Sequence, residues 1–219
     1  MSVHLEREIA RLKQRLLSLC AVVEDQVQMA VRSLLQRDVE MAEGVESRDR
    51  DIDQQEIEVE EECLKILALH QPVAVDLRMV VSALKINNDL ERIGDLAVNL
   101  AHKAVSLAEG PYMDIPFDLE GMWQKTQSML RDALDAMVNM DAAQAAGVCA
   151  RDDEVDGMKR DIRRQVETMI ARDPSQTRPL MRLAAAARNL ERIADLATNI
   201  AEDVIYMIEG RIVRHAEGE

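Results

Sequence analysis

Residues 90–101 read LERIGDLAVNLA, and residues 190–201 read LERIADLATNIA. Nine of the twelve positions are identical across an offset of 100 residues. Each copy carries Glu-x-x-x-Asp, as Glu91 with Asp95 and as Glu191 with Asp195. That spacing stacks two carboxylates on one face of a helix. The apolar positions around them, Leu90, Ile93, Leu96 and Ala97, recur at helical intervals and not alternately, so the stretch is predicted to be an amphipathic helix. A second repeat lies upstream. Residues 38–53, DVEMAEGVESRDRDID, align with residues 141–156, DAAQAAGVCARDDEVD, at an offset of 103, with seven of sixteen positions identical. The offset falls from 103 to 100 because the first half has three more residues around Pro72 than the second has around Pro174, and a length change belongs in a turn.

Working outward, the whole chain follows a helical plan laid down twice. Apolar residues at Leu5, Ile9, Leu12, Leu16, Val23, Val27, Ala30 and Leu34 predict one long helix over 6–36. Asp38 is a candidate cap for a helix over 39–69, in which Val45, Ile52, Val59 and Ile66 recur every seven residues, as in a bundle seam. Pro72 separates this from a helix over 73–109, stopped by Gly110-Pro111. The second half is predicted to hold helices over 118–140, 141–172 and 178–209, with Asp141 as a cap, Asp173-Pro174 as a turn and Gly210 closing the last helix as Gly110 closes the third. The tail from Arg211 is expected to fray. The fold class is therefore all-α: two tandem three-helix bundles, 1–112 and 113–219, with the boundary at 110–116.

Composition agrees. Of the 219 residues 47% are hydrophobic, enough for a core, while aromatics are only 2% and Gly and Pro number 8 and 5. The net charge of −14 excludes a broad nucleic-acid-binding surface, which needs clustered Lys and Arg, and suits cations or basic partners instead. No apolar run approaches the roughly 18 residues of a membrane span. The charged, amphipathic N-terminus, MSVHLEREIARLK, does not read as a signal peptide, so a cytoplasmic protein is expected. Cys20, Cys63 and Cys149 form no CxxC pair and read as reduced core thiols. Trp123 is a lone aromatic expected to pack inside.

The aligned upstream stretch supplies one more acidic pair per half: Asp49 with Asp53, and Asp152 with Asp156. Asp53 and Glu91 are each 19 residues from Pro72, while Asp156 and Glu191 are 18 and 17 residues from Pro174. On antiparallel helices rising roughly 1.5 Å per residue, the two pairs of each half stand at nearly the same height. Four carboxylates per half converge on one patch: Asp49, Asp53, Glu91 and Asp95, and then Asp152, Asp156, Glu191 and Asp195. Like charges at this spacing are destabilising unless cations or protons compensate them. Carboxylate oxygens suit Mg, Ca, Mn or iron and tolerate zinc, and bridging groups could hold more than one metal ion. In the first half Asn88, Glu91, Asp95, Asn99 and His102 share one stripe that no Lys or Arg interrupts, and Asn99 and Asn199 are candidate supporting groups. The plain alternative is a solvated helix face, since acidic runs are usually that. Arg92 and Arg192 are expected in ion pairs. No Glu-x-x-His occurs, which argues against a ferritin-like di-iron centre. Nor is there a phosphate loop, a nucleophile elbow or a zinc-finger spacing.

The paired LERIGDLAVNLA and LERIADLATNIA, with RDRDID and RDDEVD and the first-half stretch QPVAVDLRMVVSALKINNDLERIGD, resemble the PhoU family of phosphate-uptake regulators over nearly the whole chain. The resemblance implies two three-helix bundles side by side. It implies multinuclear metal binding, usually iron or zinc, through the eight acidic residues just named. It also implies a regulatory role that couples a phosphate ABC transporter to a sensor histidine kinase and keeps phosphate-starvation genes off when phosphate is plentiful. The expected partners are the transporter's ATPase subunit, the kinase and a second copy of the chain. Ala194 in place of Gly94 is a small departure that should not disturb carboxylate ligands. A non-catalytic metal-binding adaptor is the leading expectation, because no nucleophile–base pair is visible. A metal-dependent hydrolase of phosphorylated compounds, an accessory to another phosphate transporter and a metal-free structural bundle are the alternatives.

Overall fold

The computed structural model describes residues 3–213; the expected fraying of residues 214–219 falls outside them. Seven α-helices follow one another: α1 (Val3–Gln36), α2 (Val39–His70), α3 (Ala74–Ala108), α4 (Leu119–Asn139), α5 (Ala142–Cys149), α6 (Asp152–Arg172) and α7 (Thr177–Glu209), with a short 3-10 turn at Pro174–Gln176. The described residues contain no strand. None of their helices is long and apolar enough to cross a membrane.

α3 and α7 form the central pair. Ser82 near the start of α3 donates to the Asp203 carbonyl near the end of α7, while Arg182 near the start of α7 donates to Ser106 O near the end of α3. The two therefore run antiparallel, with Gly94 and Ala194 near their midpoints. α1 and α2 pack on α3, α4, α5 and α6 pack on α7, and α1 touches α4 across the divide. The seam Val45, Ile52, Val59 and Ile66 is fully buried, and Trp123 is packed inside. Cys20 and Cys63 are buried free thiols, and Cys149 is half-buried. Burial pushes the Cys20 and Cys63 thiols up to about 12.

The turns repeat closely. Arg37 and Met140 both take left-handed backbone, with φ of 56° and 52°. In both turns a backbone N–H reaches back five residues, from Asp38 to Ser33 O at 3.0 Å and from Asp141 to Ala136 O at 2.9 Å. These are six-to-one helix-ending bonds of the Schellman kind. Asp38 then caps α2 by accepting from Met41 N, and Asp141 caps α5 by accepting from Ala143 N and Gln144 N. The equal turns carry the offset of 103 back into α1 and α4.

Two expectations are corrected. The helix predicted over 141–172 is broken at Ala150–Arg151. Arg151 N bonds Val148 O, three residues back, at 3.0 Å, and a new helix begins. Asp152, Asp153 and Glu154 fill its first turn, where negative charge is stabilised by the free N–H groups and the helix dipole. Arg151 is pinned outward on Asp132 at 2.5 Å and Ser128 at 3.0 Å. In addition, the third and last helices end differently. Gly210 closes α7 in left-handed backbone at φ 71°, whereas α3 ends one residue before Glu109, a right-handed cap. A left-handed cap favours glycine.

Candidate metal centre

In the first half, the apolar seam of α2 turns inward and leaves Asp49 and Asp53 on the edge facing α3. Gln26 of α1, fully buried, donates from Nε2 to Asp49 Oδ1 and to the Val45 carbonyl, both at 3.2 Å. Desolvation raises the Asp49 carboxyl above its usual range, and the charges of Asp53, Asp95 and Glu46 add to that. Glu91 is raised in the same way, by desolvation and then by Asp95, Glu56, Asp53 and Asp49. The four predicted carboxylates of this half thus lie within electrostatic reach of one another. Glu56 joins them; its side chain accepts from Asn87 Nδ2 at 3.1 Å. Among the described residues, none of Asp49, Asp53, Glu56, Glu91 and Asp95 forms an ion pair. Of the rest of the stripe, Asn99 donates to its own helix at Asp95 O, and His102 Nε2 lies 3.6 Å from Glu46. Arg92, off the stripe, lies 3.6 Å from Asp89.

In the second half, Asp152 stands in the first turn of α6 and its Oδ1 accepts from Thr198 Oγ1 at 3.2 Å. Asp156 and Glu191 are joined by a cation, Lys159, whose Nζ lies 2.8 Å from Asp156 Oδ1 and also donates to Glu191 Oε1. That hydrogen bond holds the Asp156 carboxyl below its usual range. The Asp156 and Glu191 bonds in turn raise the Lys159 ammonium, outweighing a desolvation that lowers it. Desolvation between α6 and α7, followed by the charges of Glu191, Asp152 and Asp156, pushes Asp195 up to about 6. Desolvation also raises Asp152.

Each half therefore gathers its four predicted acids at one place along α3 or α7. In their present rotamers, no three His, Cys, Asp or Glu side chains among the described residues are placed to hold a metal ion. The donor chemistry of the first cluster fits a hard cation: five carboxylates on two neighbouring helices, with no competing ammonium or guanidinium.

Four participants escaped the sequence reading: Glu56, Gln26, Lys159 and Thr198. Carrying the offset of 103 three residues beyond Asp53 and Asp156 sets Glu56 against Lys159. Carrying it back into α1 sets Gln26 against Met129. Both positions lie outside the aligned stretches and differ between the halves, so the repeat does not mark them.

The PhoU domain model matches residues 16–104 and 119–204, one copy in each half. A phosphate-specific transport system accessory protein PhoU homologue from Pseudomonas putida is 37% identical over 216 residues, covering 98% of this chain and 84% of the relative. One of the same description from Aquifex aeolicus is 36% identical over 209 residues, covering 95% of each. The crystal structure of PhoU from Pseudomonas aeruginosa superimposes with a TM-score of 0.91 at 37% identity, covering 94% of this chain and 99% of that one. The phosphate transport system regulatory protein PhoU from Streptococcus pneumoniae gives 0.88 at 29% identity, covering 95% and 99%. Matched twice by the domain model, and over nearly its whole length by these relatives, the chain belongs to the PhoU family.

Proposed function

We propose that this chain is a cytoplasmic, metal-binding accessory regulator of a phosphate transport system. In this reading it works as an adaptor between the transporter's ATPase subunit and a sensor histidine kinase, and it represses phosphate-starvation genes when phosphate is plentiful. The observation that carries the reading is the near full-length similarity to accessory proteins of phosphate transport. The family resemblance adds the kinase and a homodimer as partners, and iron or zinc as the metal.

Asp49, Asp53, Glu91 and Asp95 would hold metal in the first half, and Asp152, Asp156, Glu191 and Asp195 in the second. A bound ion would supply the positive charge that the first four lack and would tie α2 to α3, or α6 to α7. The protein's own part is to present the carboxylates on rigid helices, with Gln26 and Thr198 fixing Asp49 and Asp152.

The test is genetic and biochemical. Deleting the gene should switch on a phosphate-starvation reporter in phosphate-replete cells, and the wild-type chain should co-purify with the transporter ATPase. A reporter that stays off after deletion, together with no co-purification, would overturn the proposal.

A further inference from the structure

The two acidic clusters differ at three aligned places. Glu56 in the first corresponds to Lys159 in the second, Gln26 to Met129, and Gly94 to Ala194. In the first cluster Gln26 is fully buried, and its Oε1 has no hydrogen-bond partner. That oxygen lies 3.3 Å from where a Cβ on Gly94 would stand, so a side chain there would crowd it. The buried amide therefore ends in an unsatisfied acceptor one residue from Asp95, beside a cluster of five carboxylates with no ion pair among them. In the second cluster, the corresponding positions are the buried and apolar Met129 and Ala194. A cation is already in place there. Lys159 is 31% exposed and Glu191 is 14% exposed, so their contact is partly withdrawn from water.

We propose that the two clusters are unequal: Lys159 closes the second by engaging Asp156 and Glu191, so that a metal ion loads the first cluster in preference. This rests on the metal-binding reading above. The second cluster keeps Asp152 and Asp195 as its only carboxylates outside the Lys159 bridge. To recruit all four, a metal ion must displace the ammonium and release it to solvent, along with the exposed Arg160 guanidinium 3.5 Å from Asp156 Oδ2. Nothing has to be displaced in the first cluster. The lysine is thus an internal counter-ion that makes one half of a duplicated protein a metal site and the other a self-neutralised copy.

The experiment uses the full chain, stripped with chelator, loaded with zinc and desalted, with bound zinc read by elemental analysis. The expected result is that Asp49→Asn/Asp53→Asn removes most of the zinc, whereas Asp152→Asn/Asp156→Asn removes little. Lys159→Met, which keeps the length of the side chain and drops its charge, should roughly double the bound zinc. Glu56→Lys should lower it, by importing the second half's arrangement into the first. Circular dichroism melting of each variant separates loss of metal from loss of fold. Equal losses from the two double variants, with Lys159→Met binding the same zinc as wild type, would overturn the inference and leave metal binding standing. Zinc absent from wild type and Lys159→Met alike would overturn both.

Discussion

α2 runs unbroken for 32 residues and carries Asp49 and Asp53 in its interior; the aligned stretch of the second half is divided, so that Asp152 opens α6. Desolvation raises the carboxyls of Asp49 and Asp152 alike, so the two differ in their neighbours. At the head of α6, Asp152 accepts from Thr198 and lies within reach of the Lys159 charge. In mid-helix, every backbone N–H near Asp49 is already used within α2, and its one side-chain donor is Gln26. The second half offsets part of its negative charge with Lys159, while the first retains it. A duplicated scaffold can thus keep the same acidic residues and still give them different work.

The largest contrast that this comparison predicts is one of access. Cys20 and Cys63 lie in the core of the first half with thiols pushed up to about 12, while Cys149 is half-buried beside the break between α5 and α6. Iodoacetamide at pH 8 should modify Cys149 first. Cys20 and Cys63 should react at least ~100-fold more slowly, since they wait on opening of a core. Peptide mass spectrometry over time gives the three rates, and equal rates would mean that the first half opens as readily as the second.

Packing gives the next contrast. Ile52 and its aligned partner Val155 both face the core, at 0% and 1% exposure. Ile52→Ala should cost about 3 kcal/mol and Val155→Ala about 2 kcal/mol, following the number of methyl groups removed. Urea denaturation followed by circular dichroism measures both. The smallest expected effect is at the helix midpoint. A methyl on Gly94 would meet Gln26 Oε1 and Ile52 Cδ1 at 3.3 Å, and both neighbours are fully buried. The crowding should outweigh a helix-propensity gain of about 1 kcal/mol, leaving Gly94→Ala roughly 1 kcal/mol less stable. A more stable variant in the same urea experiment would show that Gln26 can move aside, and would remove one of the distinctions between the two clusters.

Much of this architecture was legible in the residues. The 100-residue repeat, the seven-residue seam and the caps at Asp38 and Asp141 depend on local spacing, and the structure places them as that spacing requires. The gathering of acids in each half followed from equal distances to a turn. The break at Ala150–Arg151 did not follow, because AAQAAGVCARDD is rich in alanine and holds no proline to mark a stop. The acidic triplet at 152–154 was its one local trace. Lys159 was hidden for a different reason: a lysine among acids reads as an ordinary surface pair until the partner helix brings Glu191 to it. Gln26 reaches Asp49 across 23 residues of chain, a contact that no periodicity encodes.

The segment between α3 and α4 is the longest non-helical stretch among the described residues, yet it is held in place. Arg37, in the turn between α1 and α2, donates to the carbonyls of Leu107 and Met113 and stacks 4.7 Å from the centre of the Tyr112 ring. The junction between the repeats is therefore a clasp and not a slack tether. The early part of the linker thus moves with the first half, which shortens the loose chain left between the repeats.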